Sequence, residues 1–251
     1  MGSPDHDLRH RLIPMRLGDD RISFTNIPGH VHKRVKNRMR LAIFGSTGNI
    51  GREVLKAALN QGHEVQTLVR SPSRLTTSEV QVIEGNLADK DKIQETIRNA
   101  EAVLWAIGAT RKTGDNLELY REALKICLDE MRKNRIRRIV LLAGEAMEMP
   151  GERFPLSRKM KRFILRILVP HIAKTNKALR DILLQNEDLD WTILRPAFII
   201  VHDKPAGKVE ANTKKISGGK IDAADLGEFF VDQVSGTRFI RKAPFLASLY
   251  R

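Results

Sequence analysis

The stretch RLAIFGSTGNIGREVLKAAL, Arg40 to Leu59, decides the fold. It passes from an apolar run into an amphipathic helical pattern across Gly45, Gly48 and Gly51, spaced G-x-x-G-x-x-G. A strand that meets a helix through a glycine turn is the context of a dinucleotide-binding fingerprint, whose best-known form reads G-x-G-x-x-G. In that role Gly45 permits the tight turn off the strand, Gly48 lets the backbone approach a diphosphate, and Gly51 lets the helix pack closely on the sheet. Ser46, Thr47, Asn49 and Ile50 complete the turn, and backbone N–H groups from Thr47 to Ile50 would face phosphates at the positive end of the helix. The competing explanation is a plain strand-to-helix turn whose glycines serve packing alone.

Outward from this turn, apolar runs alternate with helical patterns. RLAIFG (40 to 45), EVQTLVR (64 to 70), VQVIEG (80 to 85), AVLWAIG (102 to 108), RIVLLAG (138 to 144) and WTILRPAF (191 to 198) read as strands. Helical periodicity covers about 49 to 60, 89 to 98, 117 to 133, 172 to 186 and 222 to 234. The alternation predicts an α/β, Rossmann-type, doubly wound and mainly parallel sheet with helices on both faces, built as a single domain over 39 to 251. The segment RFIRKAPFLASL (238 to 249) is expected to add an edge strand, where Pro244 is tolerable.

A second feature weighs against the packing-only explanation of the glycines. Dinucleotide-binding folds place a group at the end of the second strand to meet the adenosine ribose, an acid for NAD and an arginine for NADP. Here that segment reads TLVRSPSRL, with Arg70 placed 19 residues after Gly51 and Arg74 close behind. An arginine pair suits a 2′-phosphate, so NADP(H) is preferred over NAD(H). EGNLAD, at the end of the third strand, brings Asn86 to an adenine edge with Leu87 beside it. AIGAT, at the end of the fourth, brings Ile107 and Gly108 to the switch point of the sheet.

Composition bounds the rest. With 41% hydrophobic and 29% charged residues the 251-residue chain reads as globular, and no run approaches the roughly 18 apolar residues of a membrane span. No integral membrane segment and a cytoplasmic location are expected. Cys127, the single cysteine, falls on an apolar helical stretch and is given no catalytic role. No metal site is expected. Residues 1 to 38 hold four of the seven histidines and Pro4, Pro14 and Pro28 without apolar periodicity, so they read as a basic N-terminal extension. A cloning artefact, a targeting arm and a native flexible tail all suit it. The formal net charge of +14 divides into +4 within that extension and +10 in the globular part. Apart from one dense stretch near 158 to 166, the basic residues of the globular part are scattered and show no zinc-finger or RNA-binding signature, so nucleic acid is an unfavoured partner.

The chain resembles the atypical short-chain dehydrogenase/reductases that bind NAD(P)H, in particular the NmrA-like proteins, the NADH-flavin reductases and biliverdin IXβ reductase. IFGSTGNIG, LVRSPSRL, IEGNLAD, AVLWAIGA, NKALRDILLQNEDLDWTILRPAF and KIDAADLGEFF carry the resemblance, in the family's order. It implies the Rossmann fold, an NAD(P)H cofactor, and Pro196 and Phe198 near the cofactor after the sixth strand. By spacing before LDWTILRP it puts Lys177 where the wider superfamily has the lysine of its Tyr-x-x-x-Lys pair, within reach of the nicotinamide ribose.

The departures from that pattern matter for the chemistry. The tyrosine position is Ala173, and the strand that usually supplies a serine ends in Ala143, Gly144 and Glu145. Neither Tyr120 nor Tyr250 has a lysine four residues on. Without a hydroxyl proton donor, the expected activity is NADPH-dependent hydride transfer to a flavin-, quinone- or tetrapyrrole-like small-molecule acceptor, with FMN or FAD as substrate, because solvent can supply the proton. Lys177, His171 and Glu145 are the catalytic candidates. The alternatives are a non-catalytic NADP(H)-sensing NmrA-like regulator and, further off, a nucleotide-sugar epimerase or dehydratase. A cationic amphipathic segment, FPLSRKMKRFILRILVPHI, is expected to pack Met160, Phe163, Ile164, Ile167 and Leu168 on the sheet and leave its charges in water, where they could attract an anionic acceptor.

Overall fold

In a computed structural model, residues 38–250 are described, apart from 76, 154–159, 161–166, 197, 202–205 and 215–218. The N-terminal extension and most of the cationic segment therefore lie outside the described residues.

Five apolar runs give five parallel strands: β1 (Arg40–Phe44), β2 (Glu64–Val69), β3 (Gln81–Glu84), β4 (Ala102–Trp105) and β5 (Arg138–Leu142). Between them run α1 (Asn49–Asn60), α2 (Lys90–Ile97), the short α3 (Arg111–Asp115) and α4 (Leu117–Lys133). Helix α5 (Pro170–Leu184) leads to β6 (Asp190–Pro196), which is followed by β7 (Phe198–Ile200), β8 (Val209–Asn212), β9 (Lys220–Asp222), α6 (Ala223–Asp232) and β10 (Phe245–Ser248). The main sheet has the order β3-β2-β1-β4-β5-β6-β10-β8, parallel except for the antiparallel β10–β8 pair. The order of strand addition switches between β1 and β4, which run parallel with Phe44 opposite Trp105. This is the doubly wound order that leaves a crevice at the carboxyl ends of the central strands.

Alternate side chains of each buried strand enter two cores. Phe44, Trp105, Ile139 and Leu141 meet Ile93 and Ile97 of α2, Leu124 and Leu128 of α4, and Leu179 and Leu183 of α5. Ile43, Leu104, Val140 and Leu142 meet Val54 and Ala58 of α1 and Leu226 and Phe230 of α6. Helices α1 and α6 approach closely at Gly227, where an added Cβ would stand 2.7 Å from the Glu53 carbonyl carbon.

Three expectations are corrected. The 238 to 249 segment supplies β10, yet not as an edge: β10 pairs with β6 on one side and β8 on the other. Pro244 precedes the strand and its carbonyl accepts from Arg195 N, so its missing N–H costs the ladder nothing. The strands also stop earlier than the apolar runs do, at 44, 69, 84, 105, 142 and 196. Beyond these strand ends the runs continue, with Ala106 and Ala143 still buried while Arg70 and Phe198 are exposed. Finally, Met160, Ile167 and Leu168 are 54%, 64% and 69% exposed, so these members of the predicted stripe are not packed on the sheet.

Candidate functional site

The crevice is built around Gly45. Its φ of +88° turns the chain sharply off β1, and an added Cβ would stand 2.9 Å from Ile107 Cγ1 and 3.1 Å from the Ala106 carbonyl carbon. Gly48 N donates to Gly45 O at 3.0 Å, closing the turn, and Gly48 is the N-cap of α1. On Gly51 an added Cβ would lie 2.7 Å from the Gly45 carbonyl carbon and 2.9 Å from Ser46 Cα, so only glycine lets α1 start this close to β1. The helix begins without a side-chain cap and without an acidic residue in its first turn. Its positive end is thereby left to an external anion. Thr47 is half-buried, Gly48 and Asn49 are exposed and Ile50 is half-buried, so the outer face of the turn is accessible. These residues fit a dinucleotide diphosphate: each glycine sits where a side chain would collide or block approach.

Ser46 belongs to the turn by its backbone only. Its hydroxyl is fully buried and lies 2.7 Å from Thr67 Oγ1, which itself donates to Ile43 O at 2.7 Å. Because the threonine proton is committed to that carbonyl, the serine proton points to the threonine and the side chain is turned away from the crevice.

On the far side of the turn, a cavity of about 310 Å³ lies between α1 and the β2–β3 connection. Ser46, Arg52, Lys56 and Arg74 line it, with Glu53 and Glu79 as the acidic members. Arg74 reaches it from a single 3-10 turn, Pro72–Arg74, whose proline fixes the entry. Arg70, exposed just beyond β2, does not line this cavity. Arg52 and Lys56 were not singled out in the sequence. They lie four apart on one face of α1, Arg52 directly after Gly51, and that spacing was the available signal.

The other predicted residues divide between those gathered at the strand ends and those that are not. Asn86 accepts from Ala88 N at 2.8 Å through its side chain, an Asx turn that fixes the β3–α2 loop, while Leu87 and Ile107 pack against the core below. Gly108 is half-buried, with Leu142 Cδ2 3.4 Å from where its Cβ would be. Glu145 N donates to Pro196 O at 3.1 Å, so the ends of β5 and β6 are tied together. His171, at the start of α5, packs its backbone and Cβ against Gly114 of α3, where a side chain in place of glycine would collide. Phe198 has left the main sheet: it pairs with Lys220 in the small β7–β9 ladder and is 68% exposed.

Lys177, at the lysine position of the resemblance, lies on α5. Its ammonium pairs with Asp181 at 2.9 Å and its side chain is 70% exposed. Helix α5 instead turns Thr175, Asn176, Leu179, Ile182 and Leu183 inward. Asn176, the residue before Lys177, is the polar group beside Gly144. Helical periodicity through Leu179 and Leu183 was the signal that would have found it.

The loop after β5 is fixed from below by Arg195, which is 1% exposed. Its guanidinium donates to Ala243 O at 2.8 Å, Met147 O at 3.0 Å and Glu152 Oε2 at 2.9 Å, and stacks 3.7 Å from the Phe245 ring centroid. Glu152 also accepts from Met149 N at 2.8 Å, so one buried ion pair holds both ends of this loop turn. Among the described residues, no group of three or more His, Cys, Asp or Glu could hold a metal ion, and no helix is long and apolar enough to cross a membrane.

Comparison with known proteins places this geometry. The uncharacterized protein YwnB of Bacillus subtilis is 28% identical over 182 residues, 70% of this chain and 79% of that protein. A wide-type short-chain dehydrogenase/reductase from Veillonella parvula, solved in complex with NADP, superposes with a TM-score of 0.65 at 16% identity, over 83% of this chain and 94% of that one. A protein from Streptococcus pneumoniae assigned as an NADH-flavin reductase superposes with a TM-score of 0.65 at 21% identity, over 84% of this chain and 100% of that one. The two structural likenesses carry the fold. The NAD(P)H-binding family model matches residues 45–236, from the first glycine of the turn to beyond α6. With the glycine turn, the switch point and this match in agreement, the chain belongs to the NAD(P)H-binding family.

Proposed function

We propose that the chain is an NADPH-dependent reductase that passes a hydride to a flavin-, quinone- or tetrapyrrole-type acceptor. The observation that carries the cofactor choice is the cavity beside the glycine turn, with Arg52, Lys56 and Arg74 around it. A 2′-phosphate brings its charge to this side of the adenosine, and guanidinium groups match it with paired hydrogen bonds. Arg70, exposed at the strand end, offers a further cation to the same phosphate. Asn86 has its side-chain oxygen engaged by Ala88 N, so its amide nitrogen is the group for the adenine edge.

When bound, the cofactor supplies the hydride, and an acceptor with a delocalised charge can take its proton from solvent. The chain's own part is orientation. Gly45, Gly48 and Gly51 bring the backbone to the diphosphate, and Gly108 keeps the switch point open. Ala173 and Ala143 stand where a hydroxyl proton donor would be needed for simple ketones, which supports the choice of acceptor class. Glu145 and His171 are the ionisable groups for any proton handling at the strand ends.

Titration with NADPH and NADH, paired with NADPH oxidation in the presence of flavins, quinones and tetrapyrroles, tests this function. NADPH is expected to bind more tightly than NADH and to be consumed with at least one of these acceptors. Tight NADPH binding without turnover of any of them would replace the reductase by a redox-sensing regulator.

A further inference from the structure

Helix α5 buries an amide that no described residue satisfies. Asn176 is 1% exposed, and neither its Oδ1 nor its Nδ2 has a hydrogen-bond partner among the described residues. Its neighbours on the inner face of the helix are either apolar, as Leu179 is, or already satisfied, as Thr175 is by the His171 carbonyl at 2.9 Å. An unpartnered buried amide is costly, so its retention calls for an explanation, and a ligand that meets it is one.

The place it occupies says which ligand. Asn176 Nδ2 lies 3.8 Å from where a Cβ on Gly144 would stand, and that position meets no other atom within 4 Å. Gly144 follows β5, at the carboxyl end of the sheet where the reacting end of a dinucleotide is brought in this fold. The backbone around it is fixed by Ala143 N to Leu194 O at 2.9 Å, Glu145 N to Pro196 O at 3.1 Å and Met147 N to Gly144 O at 3.0 Å. The backbone at Gly144 is thus fixed, and the amide faces it across a gap about one methyl group wide.

A carboxamide offers one acceptor and two donors, and its complement is an edge that carries a donor next to an acceptor. We infer that Asn176 is a specificity-determining residue that recognises an amide or imide edge of a molecule bound over Gly144. Two molecules of the proposed reaction carry that chemistry: the carboxamide of the nicotinamide ring and the imide edge of a flavin. Both Asn176 atoms are shielded from bulk water, so the ligand reaches them through a small shift of the groups around the gap and then meets no competing solvent. This inference rests on the NADPH-dependent function proposed above.

The test is Asn176→Leu, which keeps the side-chain shape and removes both polar atoms, with Gly144→Ala as a second variant that narrows the gap by one methyl group. Melting temperature is measured, together with affinity for NADPH, for 2′-phospho-ADP-ribose, which lacks nicotinamide, and for FMN titrated into the NADP-loaded protein. Asn176→Leu is expected to melt at or above the wild-type temperature, since it removes an unsatisfied buried amide. If the nicotinamide is the ligand, NADPH binding weakens about tenfold while 2′-phospho-ADP-ribose binding is unchanged. If the flavin is the ligand, FMN binding weakens about tenfold and NADPH binding is kept. Gly144→Ala follows the same arm. Unchanged affinity for NADPH and FMN in both variants overturns the inference, as does a lower melting temperature with equal loss of all three ligands, which marks a structural amide. Failure of the wild type to bind NADPH is a different result and overturns the proposed function itself.

Discussion

Gly51 on α1 stands so close to Gly45 at the end of β1 that a Cβ at 51 would lie 2.7 Å from the Gly45 carbonyl carbon. The contact joins backbone to backbone, with no flexible side chain to yield. Gly51→Ala is therefore expected to push α1 off the sheet, to destabilise the protein by about 1–3 kcal/mol and to abolish NADPH binding. Thermal unfolding and cofactor titration check both parts. Gly62, whose φ of +80° lies in a turn with open space around its Cβ position, serves as a control: Gly62→Ala costs backbone strain and leaves the cofactor affinity alone.

Arg74 lines the cavity beside the turn and Arg70 does not. Arg74→Ala is expected to weaken NADPH about tenfold or more and NADH little, as one charge-assisted hydrogen bond is lost. Arg52→Ala should act in the same direction. A smaller effect is expected from Arg70→Ala. Equal losses for the two cofactors in Arg74→Ala would remove the 2′-phosphate role.

Lys177 is paired with Asp181 on the outer face of α5. Pairs of this kind contribute at most about 1 kcal/mol. Lys177→Ala is accordingly expected to leave NADPH affinity within about twofold of wild type, in isothermal titration, and to lower the melting temperature only slightly.

The buried Arg195–Glu152 pair is a different case. Removing one partner strands the other charge beneath the loop that follows β5, and breaking such pairs costs about 3–5 kcal/mol. Glu152→Gln, which keeps shape and loses charge, is expected to lower stability sharply and to increase hydrogen exchange at Met147 and Met149, whose backbones this pair holds.

Burial on α4 pushes the Cys127 thiol well above its ordinary 9.0. The unfolded chain therefore releases this proton at lower pH than the folded protein does. The contribution to stability is complete below about pH 9, and it declines as the pH rises above that value. Native protein is expected to resist a disulfide-forming reagent at pH 8 and to react with one thiol per chain in denaturant.

The amino-acid order alone determined much of this. An apolar run, three glycines at a spacing of three and an amphipathic helix left one arrangement for 40 to 60, because only glycine tolerates a left-handed turn at 45 and backbone contact at 51. The order of short buried runs and helices likewise determined the doubly wound sheet, since each buried strand needs cover on both faces. Short ladders such as β7–β9 were not legible, because three residues that pair across more than 20 positions carry no period of their own.

The tertiary structure decided which face each side chain takes. A sequence spacing puts Lys177 four residues after Ala173, yet the rotation of α5 is set by the packing of Leu179, Ile182 and Leu183 on the sheet, and that rotation sends Asn176 inward and Lys177 to Asp181. Likewise Arg70 and Arg74 look equivalent along the chain, and the turn at Pro72 brings only Arg74 into the cavity with Arg52 and Lys56. Local periodicity names the face of a helix or the end of a strand. Which atom faces the ligand depends on contacts between elements far apart in sequence, and those exist only once the two cores have closed.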